Sequence, residues 1–376
     1  MQFRDLKKQY DALKCEIDAG IADVIESSQF ISGKKVREFE ELIAKSVGRK
    51  YCVSCANGTD ALEMVLRTWG IGNGDAVFVP SFTFMSTAEV VSLVGAAPFF
   101  VDIDPETFNM DADSLESTIE MVLEQGKVLP KAVIPVDLFG LPADFGKIRA
   151  VADKYNLLVL EDGAQGFGGS IEGKKACSFG NASTTSFFPA KPLGCYGDGG
   201  AIFTDSEEDM LMLRSLCVHG KGREKYENIR IGRNSRLDSL QAAILIPKLK
   251  AFWDYELQAV NAVAEKYTSR LKGCVITPSV KPGFVSSWAQ YTIVCEDREQ
   301  RNALQQFLKA GGIPSMVYYP LGLHRQQAFA DCDFPNRSLP VTEKMTERVL
   351  SLPMHPYLKD DEIESICEQV KNFVKG

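Results

Sequence analysis

From residue 51 onward the chain alternates between two rhythms. The short apolar runs YCVS, AVFVP, APFFVDI, KAVIPV and LLVLED are separated by stretches of helical apolar spacing around 59–70, 84–94, 111–124 and 143–154. Short apolar runs bounded by turn residues read as strands, and longer stretches with apolar side chains three and four apart read as helices. Strands joined through helices of that length run parallel, because each crossover carries the chain back to the same end of the sheet, and these crossovers are right-handed. Helices then cover both sheet faces, and ligands gather outside the strands' carboxyl ends. The expected fold class is therefore α/β with a mainly parallel sheet.

The rhythm stops after LLVLED, where TTSFF and GGAIFT read as two further strands joined by a loop. Upstream, Leu6, Tyr10, Leu13, Ile17, Ile21 and Val24 form one amphipathic stripe, so residues 1–30 read as a helical arm. QFISG follows as a turn and VREFEELIAKSVG as a second helix. Beyond residue 250 the order changes to a helical LKAFWDYELQAVNAVAEKYTSRL, a strand YTIVC, a helix around 298–310, a strand PSMVYY and a closing helix over 361–374. A chain of 376 residues is long for one core. The expected division is a large α/β domain over 1–249 and a smaller α+β domain over 250–376, with no repeat or low-complexity linker between them.

Hydrophobic residues make up 45% and charged residues 24%, an ordinary balance for a soluble globular chain. The net charge of -8, without a Lys/Arg block, argues against nucleic acid as a partner. The polar start MQFRDLKKQYDALK and the lack of a long apolar run argue against secretion and membrane insertion, making the cytoplasm the expected location. Ten cysteines in such a chain are expected to be free and buried. Cys52 and Cys55 form one CxxC with no second pair at zinc spacing, so no metal is expected there.

Lys191 closes the run TTSFFPAKPLG, 29 positions after Asp162 in EDGAQGFGG. On its own a surface lysine is the better reading. With Phe187, Phe188 and Pro189 before it and GCYGDGG after it, the amine is expected to be desolvated and to favour the neutral nucleophile. Asp162 ends a strand, at the sheet's carboxyl edge. A buried aspartate there keeps a pyridine nitrogen protonated, as pyridoxal phosphate chemistry requires; the plainer alternative is a helix cap or a salt-bridge partner. In ANGTDALEMVL, Asn57, Gly58 and Thr59 open a helix after a strand, which is either an anion site or a simple N-cap. Ser186 stands near enough in sequence to add a hydroxyl, and Phe84 in PSFTFMSTAEVV reads as a stacking aromatic or a core residue. GFGGS and GCYGDGG do not fit a dinucleotide loop, and His219, His324 and His355 lack metal spacing.

In this order and spacing, FISGKKVREFE, NGTDAL, PSFTFMSTAEVV, VDIDPETFNMD, PVDLFGLPADF, EDGAQGFGG, TTSFFPAKPLG, GDGGAIFT, GRNSRLDSLQAAIL and SLPMHPYL resemble the DegT/StrS-type sugar-nucleotide aminotransferases. The resemblance implies a fold-type-I pyridoxal phosphate enzyme, with a seven-stranded sheet and a smaller C-terminal domain. It places pyridoxal 5′-phosphate on Lys191, with Asp162 at the ring nitrogen, Gln165 beside the ring and Phe84 stacked on it. Gly58, Thr59 and Ser186 become phosphate ligands, and Asn234 in GRNSRLD reaches the phosphate from the neighbouring subunit of a homodimer. Relatives that dehydrate sugars carry histidine at the lysine position, so Lys191 implies transamination.

SFFPAKPLGCYGDGGAIFT and NSRLDSLQAAILIPKL are most similar to enzymes acting on UDP-2-acetamido-2-deoxy-3-oxo-glucuronate. The implied reaction moves an amino group from glutamate to the C3 ketone through pyridoxamine phosphate, for bacterial surface polysaccharide such as lipopolysaccharide. Arg236 is expected at a substrate carboxylate or in an interface salt bridge, and Tyr318 and Tyr319 at the sugar. Tyr318 departs from the histidine that close relatives often show, which leaves C3 or C4 amination of a dTDP- or GDP-linked sugar open. A cofactor-binding regulator without turnover is a further alternative, and so is a cysteine-using lyase with Cys195 as its thiol.

Overall fold

The computed structural model describes residues 1–224, 226–330, 332 and 338–375. Helices α1 (Leu6–Ser27) and α2 (Lys34–Val47) precede the sheet. Then β1 (Tyr51–Cys55), α3 (Gly58–Thr68), β2 (Asp75–Pro80), α4 (Ser86–Leu93), β3 (Ala97–Val101), α5 (Ala112–Gln125), β4 (Leu129–Val133), α6 (Phe145–Lys154) and β5 (Leu158–Asp162) follow the expected alternation. A small hairpin of β6 (Ser170–Ile171) and β7 (Lys174–Lys175) leads to β8 (Ala182–Ser186), β9 (Gly200–Thr204) and α7 (Glu207–Leu216). Seven strands form one sheet in the order β1-β9-β8-β5-β4-β2-β3, and only β9 runs antiparallel to its neighbours.

Alternation along the strands builds a core on each face. Val77 and Val79 of β2 pack with Leu62, Val65 and Val90 of α3 and α4, whereas Ala76 and Phe78 pack with Leu115, Ile119 and Ile148 of α5 and α6. The same alternation in β5 sends Leu160 towards α3 and α4 and Val159 towards α5 and α6. Asp162, two residues beyond Leu160, therefore faces the α4 side, and Glu161 faces the other.

Helix α8 (Ser239–Ala251) continues through a π-helical turn (Phe252–Glu256) into α9 (Leu257–Leu271), so position 250 lies inside an unbroken helical run. Leu13 and Ile17 of α1 pack on Ile244 and Ala251 of α8. Strand β10 (Phe284–Val285) joins the small hairpin. It is followed by β11 (Tyr291–Val294), α10 (Arg298–Ala310), α11 (Pro340–Arg348), β12 (Val349–Leu352) and α12 (Asp360–Lys375), which enclose a core of Tyr267, Tyr291, Leu304, Leu350 and Ile366.

The expected strand PSMVYY does not form. β12 takes β11 as its antiparallel partner, and Met316 makes only an isolated bridge to Ser351. The chain then turns inward with Tyr318 and Tyr319. Among the described residues, no helix is long and apolar enough to cross a membrane.

Candidate active site

Strands β8 and β9 pair so that Ser186 lies opposite Gly200, and the connection between them carries Lys191 at the carboxyl edge. Three backbone bonds tighten this loop: Phe187 N–H to Gly199 O at 2.7 Å, and Lys191 N–H to Phe188 O and Cys195 N–H to Phe187 O, both at 2.8 Å. Phe187 anchors it in the core against Phe39, at a ring separation of 5.3 Å. Phe188, expected to help desolvate the amine, is instead 52% exposed, because the strand ends at Ser186 and consecutive side chains part to opposite sides. Burial still lowers the Lys191 pKa; the Asp162 charge opposes this and the Arg4 charge adds to it. The net direction is towards easier loss of the amine's proton.

Asp162 is 4% exposed. Its Oδ2 accepts a hydrogen bond from Thr87 Oγ1 at 2.9 Å and its Oδ1 accepts one from Ala164 N–H at 3.2 Å. Burial raises its pKa, against the pull of those two donors and of Lys191. Phe84, just before α4, is 55% exposed and leaves an aromatic face open near this edge.

At the other end of the site, Asn57 caps α3 by accepting from Asp60 N–H at 2.7 Å, and Thr59 Oγ1 bonds Ser86 Oγ at 2.7 Å. A Cβ built on Gly58 would stand 2.9 Å from Ser186 Cβ, and one on Gly200 would stand 2.5 Å from the Asn57 carbonyl. Glycine at both positions lets the start of α3 settle onto the sheet edge, with Ser186 beneath it. Free N–H groups, a helix dipole and a hydroxyl thus converge on one small space.

Gln165 is buried between two partners, accepting from Phe139 N–H at 2.8 Å and donating through Nε2 to Tyr319 Oη at 3.1 Å. Tyr318 packs against Tyr319 and against Phe3 from the N-terminus. Asn234 and Arg236 bond each other, Nη2 to Oδ1 at 2.5 Å. Between them, Ser235 Oγ accepts from Ala56 N–H at 3.0 Å and ties the segment to the β1–α3 junction. His324 bonds Ser81 and Glu343, and His355 accepts from Tyr357 N–H. Cys195 is buried with its Sγ on the Phe187 and Gly197 carbonyls.

Two further participants carry no sequence signal. Thr87 lies 75 positions from the aspartate it holds, and Arg4 lies 188 positions from Pro192, whose carbonyl its Nη2 meets at 3.2 Å.

A seven-stranded sheet with one reversed strand, and a lysine facing an aspartate at its carboxyl edge, define the fold-type-I transferases. The chain belongs to the DegT/DnrJ/EryC1/StrS aminotransferase family, whose model matches residues 11–371. It is 48% identical over 373 residues to the UDP-2-acetamido-2-deoxy-3-oxo-D-glucuronate aminotransferase of Pseudomonas aeruginosa, covering 99% of this chain and 100% of the relative. A crystal structure of a DegT DnrJ EryC1 StrS aminotransferase from Brucella abortus superposes with a TM-score of 0.97 at 46% identity, covering 100% of both chains. The Bacillus subtilis protein NtdA with bound cofactor PMP has a TM-score of 0.90 at 29% identity, over 100% of this chain and 85% of its own.

Proposed function

We propose that this chain is a pyridoxal 5′-phosphate-dependent aminotransferase that moves an amino group from glutamate onto C3 of UDP-2-acetamido-2-deoxy-3-oxo-glucuronate. The observation that carries it is the desolvated Lys191 amine within reach of the Asp162 charge, in a chain 48% identical to an enzyme of that name. The residues fit the cofactor. A buried carboxylate whose pKa burial raises gains from a cationic ring nitrogen, and the helix start at Gly58 and Thr59 with the Ser186 hydroxyl beside it offers donors for a phosphate. When bound, the cofactor supplies a carbonyl that takes up the amino group and a ring that accepts an electron pair.

The protein's own part is binding and proton handling. Asp162 would hold the ring nitrogen charged, and Gln165, braced by Phe139 and Tyr319, would stand beside the ring. Phe84 would lay its exposed ring against the cofactor, and Asn234 would complete the phosphate site across a homodimer. Lys191 Nζ, whose pKa desolvation lowers, would take a proton from the donor's α-carbon and return one on the other side of the transfer. Arg236 forks onto the uronate or donor carboxylate, and Tyr318 and Tyr319 border the sugar. The reading includes a cytoplasmic location, which cell fractionation tests.

The reverse half-reaction tests the function directly. Aminated UDP and dTDP sugars are offered to the cofactor-loaded enzyme, and its visible spectrum is followed. A change with the UDP-3-amino-uronate alone is expected; a change with a dTDP-4-amino sugar instead overturns the substrate assignment, and cofactor uptake without any turnover makes the chain a binding protein. Lys191→Ala should slow transfer about a thousandfold, in the range for loss of a general base. Turnover at the original rate would refute its role.

A further inference from the structure

Behind the site lies a second pair of carboxyls, Asp137 and Glu161, that the proposed reaction leaves unused. Both are 0% exposed. Glu161 points away from Asp162 to the opposite sheet face, where Oε1 accepts from Cys177 N–H at 2.5 Å and Oε2 accepts from Phe179 N–H and Ser183 Oγ at 2.7 Å. Asp137 Oδ1 accepts from Ala143 N–H at 3.0 Å. Its Oδ2 meets no donor among the described residues, and the group that faces it is the Glu161 carboxyl.

Two charged carboxylates facing one another in a dry interior are disfavoured twice, by desolvation and by repulsion. A proton placed between them removes one charge and gives the orphaned oxygen a partner, since a protonated carboxyl donates. Among the described residues, no cation bonds either carboxyl. Asp162 is an acid, the Cys177 thiol is pushed well up by burial and by these same two carboxyls, and Arg49 is paired with Asp205 and bonded to Ser183 Oγ at 3.2 Å.

We propose that Asp137 and Glu161 share one proton, Asp137 Oδ2–H donating to Glu161, and that this pair is a positioning device for Asp162 and Gln165. The turn that Asp137 opens is bonded to both residues. Asp137 N–H donates to Asp162 O at 3.0 Å, and Phe139 N–H donates to Gln165 Oε1 at 2.8 Å. The carboxyl also abuts the residue that follows Gln165, where a Cβ on Gly166 would fall 2.3 Å from Asp137 Oδ2. Burial, followed by the Glu161 charge, pushes the Asp137 pKa well above the usual carboxylate range, the direction a shared proton requires. Only the positioning half rests on the proposed function; the shared proton does not.

The test uses the full chain with Asp137→Asn, which keeps the shape and a donor towards Glu161, and Asp137→Ala, which keeps neither. Infrared spectroscopy of the wild type should show a buried neutral carboxyl that Asp137→Asn abolishes. Because the native state holds a proton that the unfolded chain gives up, wild-type stability should fall as pH rises above the ordinary carboxylate range, and Asp137→Asn should flatten that slope by one proton. Pyridoxal phosphate affinity should stay within about twofold of wild type in Asp137→Asn and weaken about tenfold in Asp137→Ala. Parallel pH slopes for wild type and Asp137→Asn overturn the shared proton, and wild-type affinity in Asp137→Ala overturns the positioning role. If none of the proteins takes up cofactor while the infrared and pH differences persist, the proposed function fails and the proton pair stands.

Discussion

The Thr87 hydroxyl reaches Asp162 from the first turn of α4, across 75 positions of sequence, and among the described residues supplies one of two hydrogen bonds to a carboxylate that burial is pushing towards neutrality. Hydrogen bonds to charged groups contribute about 1.5–3 kcal/mol, so Thr87→Val should reduce kcat/KM for amination about ten- to a hundredfold. The direction in pH follows as well. Without the donor the Asp162 pKa rises further, and the acid limb of the activity profile moves to higher pH, while Thr87→Ser restores it. Unchanged kcat/KM in Thr87→Val would show that Ala164 N–H suffices. Lys191 and Asp162 were legible in the sequence because each marks the end of a strand or the loop after one, a local signal. Thr87, Arg4 and Asp137 were not, because what makes them matter is a contact that only the folded sheet creates.

At the scale of elements, the strand–helix alternation over 51–162 was readable because a parallel sheet buried on both faces needs mainly apolar runs, and β5 departs from this at its end with two carboxylates. PSMVYY misled for a related reason: it has strand composition, but strand pairing is decided by a distant partner, and β12 already pairs with β11. The decisive junction is where β1, β9 and β8 end side by side, with Cys55 and Ser186 both opposite Gly200 and α3 starting just above. That junction exists only while Gly200 lacks a side chain, since a Cβ would press on Asn57 C and O at 2.5 Å, both backbone atoms that cannot swing aside. Gly200→Ala should therefore destabilise the protein by about 1–3 kcal/mol through overpacking and weaken cofactor binding at the helix start. Chemical denaturation with an unchanged m-value and a lowered midpoint is the expected record. A wild-type midpoint would mean that the helix start can shift.

Across the whole molecule, the two ends of the chain meet over the site. Phe3 O accepts from Met354 N–H at 3.1 Å, Lys8 pairs with Glu362 at 3.3 Å, and Phe3 edges onto Tyr318. His355 sits beneath this meeting point, 2% exposed, with Nδ1 accepting from Tyr357 N–H at 3.3 Å. Burial, helped by the charges of Lys8 and Arg4 and opposed by Asp5 and Glu362, lowers its pKa to about 4. The unfolded chain titrates this group near its ordinary value of about 6.5, so between there and about 4 the unfolded state binds the extra proton and the native state does not. Stability contributed by neutral His355 is thus present above that window and lost as pH falls through it, by about 3 kcal/mol in all. His355→Asn, which offers an oxygen in place of Nδ1 and cannot be protonated there, should lose less stability than wild type between pH about 6.5 and 4. Denaturant midpoints measured across that range decide the matter, and equal acid sensitivity in the two proteins would place the acid-labile contact elsewhere.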